Sequence, residues 1–139
     1  MAWVVDTCLL IDIFEGNPGF ATSAADLLAR HAEDGLVLCP MTYVELSPAF
    51  EGDRDLQDEF LGGVGAAYRE SWSWEDTLQA HAAWHEHVRK KRAGHARKRP
   101  LADILIGAFA LRFQGLLTRN PDEFRATFQD LILRLPAAP

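Results

Sequence analysis

The sequence predicts an α/β fold built on a mainly parallel sheet with helices on both faces. Two observations carry this expectation. Short apolar runs at residues 3–5, 36–39, 115–118 and 131–135 are nearly unbroken, as in strands buried on both faces, and do not alternate with polar residues. Between them lie segments with apolar residues at helical spacing, the alternation from which parallel sheets are made.

Taken in order, Trp3, Val4 and Val5 form a β-rich run that ends at Asp6, and "TCLLIDIF" follows as a helix. A second helix over about residues 18–34 is marked by Ala24, Leu27 and Leu28 and stopped by Gly35. Residues 36–39 read as a buried strand ended by Pro40. Helices over about 41–50 and 53–61 come next, with Gly62, Gly63 and Gly65 marking a turn. Residues 68–72 are a weak strand candidate, and 75–92 a long polar helix. An apolar helix over 101–113 leads to a strand at 115–118, the turn "RNPDEF" and a closing strand at 131–135. The sequence holds no repeat and no low-complexity linker, and 139 residues suit a single domain over residues 1–139.

Composition excludes several classes. With 48% apolar and 24% charged residues the chain reads as globular and not disordered. Its longest apolar run, residues 104–111, falls far short of the roughly 20 residues of a membrane span. "MAWVVDT" has no basic stretch and does not read as a secretion signal. Cys8 and Cys39 are too few for a disulfide framework, so both are expected as reduced, buried thiols and the protein as cytoplasmic. The net charge of −6 hides an asymmetry: "RKKRAGHARKR", residues 89–99, holds half of all Lys and Arg. A cationic strip on an acidic body suits contact with a polyanion such as a phosphate backbone, or else is a solvated helix end.

In an open parallel sheet the carboxyl ends of the strands line the ligand crevice, so acids there matter. Asp6 ends the first strand, Glu45 lies in "MTYVEL" after the second, Asp103 opens the apolar helix, and Asp122 and Glu123 follow the strand that ends at Thr118. Each has a plainer explanation. Asp6 is a good helix N-cap, "TYVE" fits a capping box between Thr42 and Glu45, and Asp103 suits the helix dipole. Against the last stands the face that follows Asp103, with the small residues Gly107 and Ala110, which predicts room beside the carboxylate. Clustered carboxylates repel, and all-oxygen ligands suit a hard cation such as Mg²⁺ or Mn²⁺, which lowers the pKa of a bound water and clamps a phosphodiester.

"VVDTCLLIDIF", "MTYVEL", "RPLADILIGAFA" and "LLTRNPDEF" occur in an order and at spacings that resemble the PIN-domain ribonucleases, and look like those of VapC-type toxins. The resemblance implies a three-layer α/β/α sandwich and a Mg²⁺- or Mn²⁺-dependent endoribonuclease acting on RNA, with structured RNA such as tRNA or rRNA as the natural target. It further implies a homodimer inhibited by a small VapB-like antitoxin. By matched position, Asp6, Glu45 and Asp103 are the metal-site acids, and the fourth acidic position falls among Asn120, Asp122 and Glu123. The resemblance also gives Thr7 and Thr118 the task of orienting metal-bound water or an acid. Arg97, Lys98 and Arg99 would guide RNA phosphates. Cys8 departs from the Asn or Ser usual after "DT", which changes the local hydrogen bonding.

Other readings are weaker. His81 and His85 lack the Glu of "HExxH" and read as surface histidines. Trp72, Trp74, Trp84 and Tyr68 suit base stacking, but more readily core or a protein interface, dimer contacts included. A response-regulator receiver needs an acid pair after the first strand and a late Lys, and here Thr7 follows Asp6 and no Lys follows Lys98. The serious rival is a non-catalytic PIN-like module that binds RNA or protein. The presence of all three core acids speaks for the enzyme.

Overall fold

The computed structural model describes residues 1–94 and 101–138. Five parallel strands lie in the order β3-β2-β1-β4-β5: β1 (Trp3–Val5), β2 (Leu36–Val37), β3 (Ala66–Ala67), β4 (Gly115–Leu117) and β5 (Leu133–Arg134). Around them run α1 (Thr7–Glu15), α2 (Ala21–His31), α3 (Pro40–Glu45), α4 (Arg54–Val64), α5 (Trp74–Arg92), α6 (Leu101–Ala110) and α7 (Pro121–Thr127).

Alternation along the strands makes the three layers. Trp3, Val5, Leu36, Leu38 and Leu117 project into one core with Leu9, Leu10, Leu27, Phe50 and Leu61. Their neighbours Val4, Val37, Cys39 and Leu116 project into the other, with Ile104, Phe109, Phe124 and Phe128. The central strands β1, β2 and β4 are thus buried on both sides, which is why their sequences are apolar without a polar alternate, whereas the edge strands β3 and β5 expose Ala67 and Arg134.

Several elements differ from expectation, each for a local reason. The helix expected over 41–50 stops at Glu45 and gives way to a 3₁₀ turn at Ser47–Phe50, because Pro48 lacks an N–H to continue an α-helix. Helix α4 runs through Gly62 and Gly63 and ends only at Gly65, whose φ of 76° supplies the left-handed C-cap. No strand forms over 68–72; β3 is Ala66–Ala67. In the expected strand, the Ser71 carbonyl accepts from Arg112 and the Trp72 indole donates to Thr77, while Ser73 caps α5 through a box with Asp76. The apolar helix α6 ends at Ala110, three residues early, where the chain turns so that the Gln114 N–H reaches the Ala2 carbonyl at 2.8 Å. "RNPDEF" is no simple turn: Pro121 starts α7, with Asp122 and Glu123 in its first turn.

The small face of α6 has a structural occupant. A Cβ on Gly107 would stand 2.3 Å from the Phe128 ring, so the glycine admits that ring against the helix, and the room expected beside Asp103 is filled there by phenylalanine.

Candidate active site

Strand β1 pairs with β2 on one side and with β4 on the other. The connections leave β1 in one direction to β2 and β3 and return on its far side to β4 and β5. The crevice at the carboxyl ends of β1 and β4 is therefore where the strand order reverses, the place where open α/β sheets bind ligands.

Asp6 stands at this point, buried at 7% exposure. Its position is that of the α1 N-cap, yet its side chain makes no capping bond. It accepts instead from the Thr118 hydroxyl at 2.7 Å and from the Cys8 thiol at 3.5 Å. Burial pushes the Asp6 carboxyl above the usual range, the Thr118 and Cys8 bonds oppose this, and Glu45 adds repulsion. Cys8 takes up the departure noted in the sequence by serving as a donor to Asp6. Burial, then the Asp6 charge, push that thiol up to about 12, so it stays protonated.

Glu45 closes α3 and accepts from the Thr7 hydroxyl at 2.7 Å, with Thr42 Oγ1 at 3.1 Å from the same oxygen. The expected capping box does not form. Helix α3 begins at Pro40 with Cys39 as N-cap, which puts Thr42 inside the helix and frees Glu45 for Thr7. Thr7 thereby orients an acid.

Asp103, on the first turn of α6, is pushed up to about 7 by burial, the charge of Asp6, a hydrogen bond and charge from Glu123, and the charge of Glu45. Asp103 is thereby a much weaker acid than an ordinary carboxyl, chiefly because of its burial and the neighbouring Asp6 charge. Four acids from four segments are thus electrostatically joined. Among the described residues no group of three or more His, Cys, Asp or Glu side chains is placed so as to hold a metal ion. The chemistry of the donors nonetheless suits a hard divalent cation: they are all oxygen, and the repulsion and burial that raise Asp6 and Asp103 are what a cation would relieve.

The candidates in "TRNPDEF" separate. Glu123 meets Asp103, whereas the Asp122 side chain is 98% exposed and lies 3.9 Å from Arg125. Asn120 is exposed and makes no side-chain capping bond; its backbone N–H donates to Thr118 Oγ1 at 3.0 Å. Arg97, Lys98 and Arg99 lie outside the described residues. His81 and His85 are exposed, and Trp72 stacks on Phe109 with centroids 6.1 Å apart, as core.

Sequence reasoning missed Asp12 and Arg119. Asp12, 1% exposed within α1, takes Arg119 Nε at 2.7 Å and Nη2 at 3.2 Å, together with Asn17 Nδ2 at 2.9 Å. The signal was present: Asp12 is the single acid inside the apolar stretch "CLLIDIF", and a buried carboxylate demands a cation as much there as at Asp103.

No family model and no curated protein matches the sequence. Among solved structures the chain is similar to VapBC2 from Rickettsia felis, determined bound to a DNA fragment from their promoter. The TM-score is 0.76 and the identity 18%, over 99% of this chain and 100% of that one. No helix among the described residues is long and apolar enough to cross a membrane. At that identity the likeness is one of architecture, and this chain has the PIN-like three-layer α/β/α fold.

Proposed function

We propose that the protein is a Mg²⁺- or Mn²⁺-dependent endoribonuclease, and that it works as the toxin of a VapBC-type pair, held in check by a small VapB-like antitoxin. The observation that carries the reading is the electrostatic meeting of Asp6, Glu45, Asp103 and Glu123 beside the reversal point of the sheet, which lifts the Asp6 and Asp103 carboxyls above the usual range. Asp6 stands between β1 and α1, and the other three acids come from α3, α6 and α7, so their convergence is a property of the tertiary fold and of no single helix cap.

Asp6, Glu45, Asp103 and Glu123 would hold the cation. Bound there, a divalent ion supplies an activated water and a clamp on the scissile phosphate. The chain's own task is orientation: Thr118 fixes Asp6, which is also buried, and Thr7 fixes the half-buried Glu45. The acids carry no side-chain nucleophile, and hydrolysis by a positioned water needs none. The strip Arg97, Lys98 and Arg99 completes the reading as contacts to the RNA phosphates, and Glu123 takes the fourth acidic position in place of Asn120 and Asp122. A homodimer in the cytoplasm belongs to the same reading.

The test is cleavage of a mixed RNA pool by the purified protein with Mg²⁺ or Mn²⁺, beside EDTA and Asp103→Asn controls. Cleavage lost in both controls supports the enzyme and its site together. RNA binding that is independent of metal, with no cleavage, overturns the enzyme in favour of the non-catalytic module.

A further inference from the structure

Arg119 is anchored more firmly than a structural ion pair requires, yet part of it is left over. Asp12 takes Nε and Nη2 from one edge of the guanidinium, and the Phe20 ring covers one face with its centroid 4.7 Å from Cζ. Among the described residues Nη1 has no hydrogen-bond partner, and the side chain is 34% exposed. A guanidinium carries five N–H donors in a rigid fork, so donors remain on a group that cannot swing away.

Its place beside the acids gives those donors a use. Arg119 directly follows Thr118, the residue that holds Asp6, and its backbone N–H bonds the Cys8 thiol. Its anchor Asp12 sits six residues along α1 from Asp6, about 9 Å along the helix axis. The anchor thus lies off the acidic cluster while Arg119 still feels the charge of Asp6, a placement that suits a phosphate next to the one held at the acids. Because Asp12 cancels much of the charge, Arg119 adds little long-range pull and chiefly offers directed hydrogen bonds, which position a strand.

We infer that Arg119 is a substrate-binding residue whose free guanidinium edge takes a backbone phosphate of single-stranded RNA next to the one presented to the acids. The inference rests on the ribonuclease reading for the identity of the strand. It assigns a role to a residue outside the acidic cluster and predicts that short substrates escape it.

The experiment uses Arg119→Lys, which keeps a cation for Asp12 but loses the fork, and the double variant Asp12→Asn/Arg119→Gln, which removes the buried charges together. Binding of a fluorescent RNA decanucleotide is followed by anisotropy in EDTA, and cleavage with Mn²⁺ is measured on the decanucleotide and on a dinucleoside monophosphate, which has a single phosphate. Both variants should bind the decanucleotide about tenfold more weakly and show a raised KM on it. Their kcat/KM on the dinucleoside monophosphate should equal that of the wild type. Equal losses on both substrates would make Arg119 a structural residue and overturn the inference, as would wild-type affinity for the decanucleotide. Weakened binding without metal-dependent cleavage by any form would leave the RNA contact standing and bring down the nuclease reading alone.

Discussion

The Thr118 hydroxyl donates to Asp6 Oδ2 at 2.7 Å, joining the ends of neighbouring strands across 112 residues of sequence. Thr118 Oγ1 also accepts from the Asn120 N–H at 3.0 Å, so one fully buried hydroxyl couples the carboxylate to the loop that leads into α7.

Thr118→Val keeps the shape and removes both bonds. The expected cost is about 2 kcal/mol of stability, since it orphans a buried acceptor and a donor, together with a loss of RNA cleavage of at least roughly tenfold as Asp6 loses its orientation. Thr118→Ser should retain most of both. Urea denaturation beside initial cleavage rates checks the pair, and a Val variant as active as wild type would remove Thr118 from the site.

Acidity of the cluster predicts an inverted pH dependence. Asp103 is raised from 3.8 to about 7, so between those values the folded protein binds a proton that the unfolded chain has released. Its contribution therefore favours the fold at low pH and is lost as pH rises through that window. In EDTA, Asp103→Asn should be more stable than wild type at neutral pH, and the difference should shrink toward acid. Calorimetric melting of both proteins across the window reads this directly; a difference that grows toward acid would contradict it.

Added Mn²⁺ should raise the melting temperature of the wild type at neutral pH and displace protons, because ligand carboxylates must be ionised to bind. Asp103→Asn should lose most of the shift. Titration calorimetry in buffers of different ionisation heat counts the protons released.

Arg119→Ala strands the buried Asp12 carboxylate, and about 3 kcal/mol of stability should go with it. Asp12→Asn/Arg119→Gln should recover most of that loss, because no buried charge remains unpaired. Chemical denaturation of the two variants decides whether the pair acts as one unit.

Gly107→Ala drives a methyl into the Phe128 ring, where the Cβ would lie 2.3 Å from the nearest ring atom. A cost of about 1–3 kcal/mol is expected, partly relieved by Phe128→Leu. A neutral Gly107→Ala would mean that the ring slides aside freely.

Much of this architecture was legible because the three central strands are buried on both faces and therefore apolar without alternation. The expected strand over 68–72 misled because its aromatic residues serve packing, Trp72 against Phe109, while the sheet edge is made by two alanines whose side chains carry no β signal. Asp6, Glu45 and Asp103 were visible as acids beside strand ends or helix starts. What spacing did not show was which bland role each would decline. Thr42 looked like a cap because Pro40, two residues earlier, was read as a strand end and not as the first residue of a helix. Asp122 and Glu123 are adjacent and both exposed, and only the fold shows that Glu123 is the one that interacts with Asp103. Asp12 went unnoticed because its partner lies 107 residues away.

The central pairing of β1 with β4 ties residues 3–5 to residues 115–117, and Glu123 comes later still. A chain emerging from the ribosome has Asp6 and Glu45 exposed long before it owns a strand to dock beside β1 or a fourth carboxylate to complete the cluster. Contacts of such long sequence separation form late and slowly. The acidic cluster is thus withheld until the chain has been made past Glu123, so on the ribonuclease reading a fragment released before that point lacks the complete site.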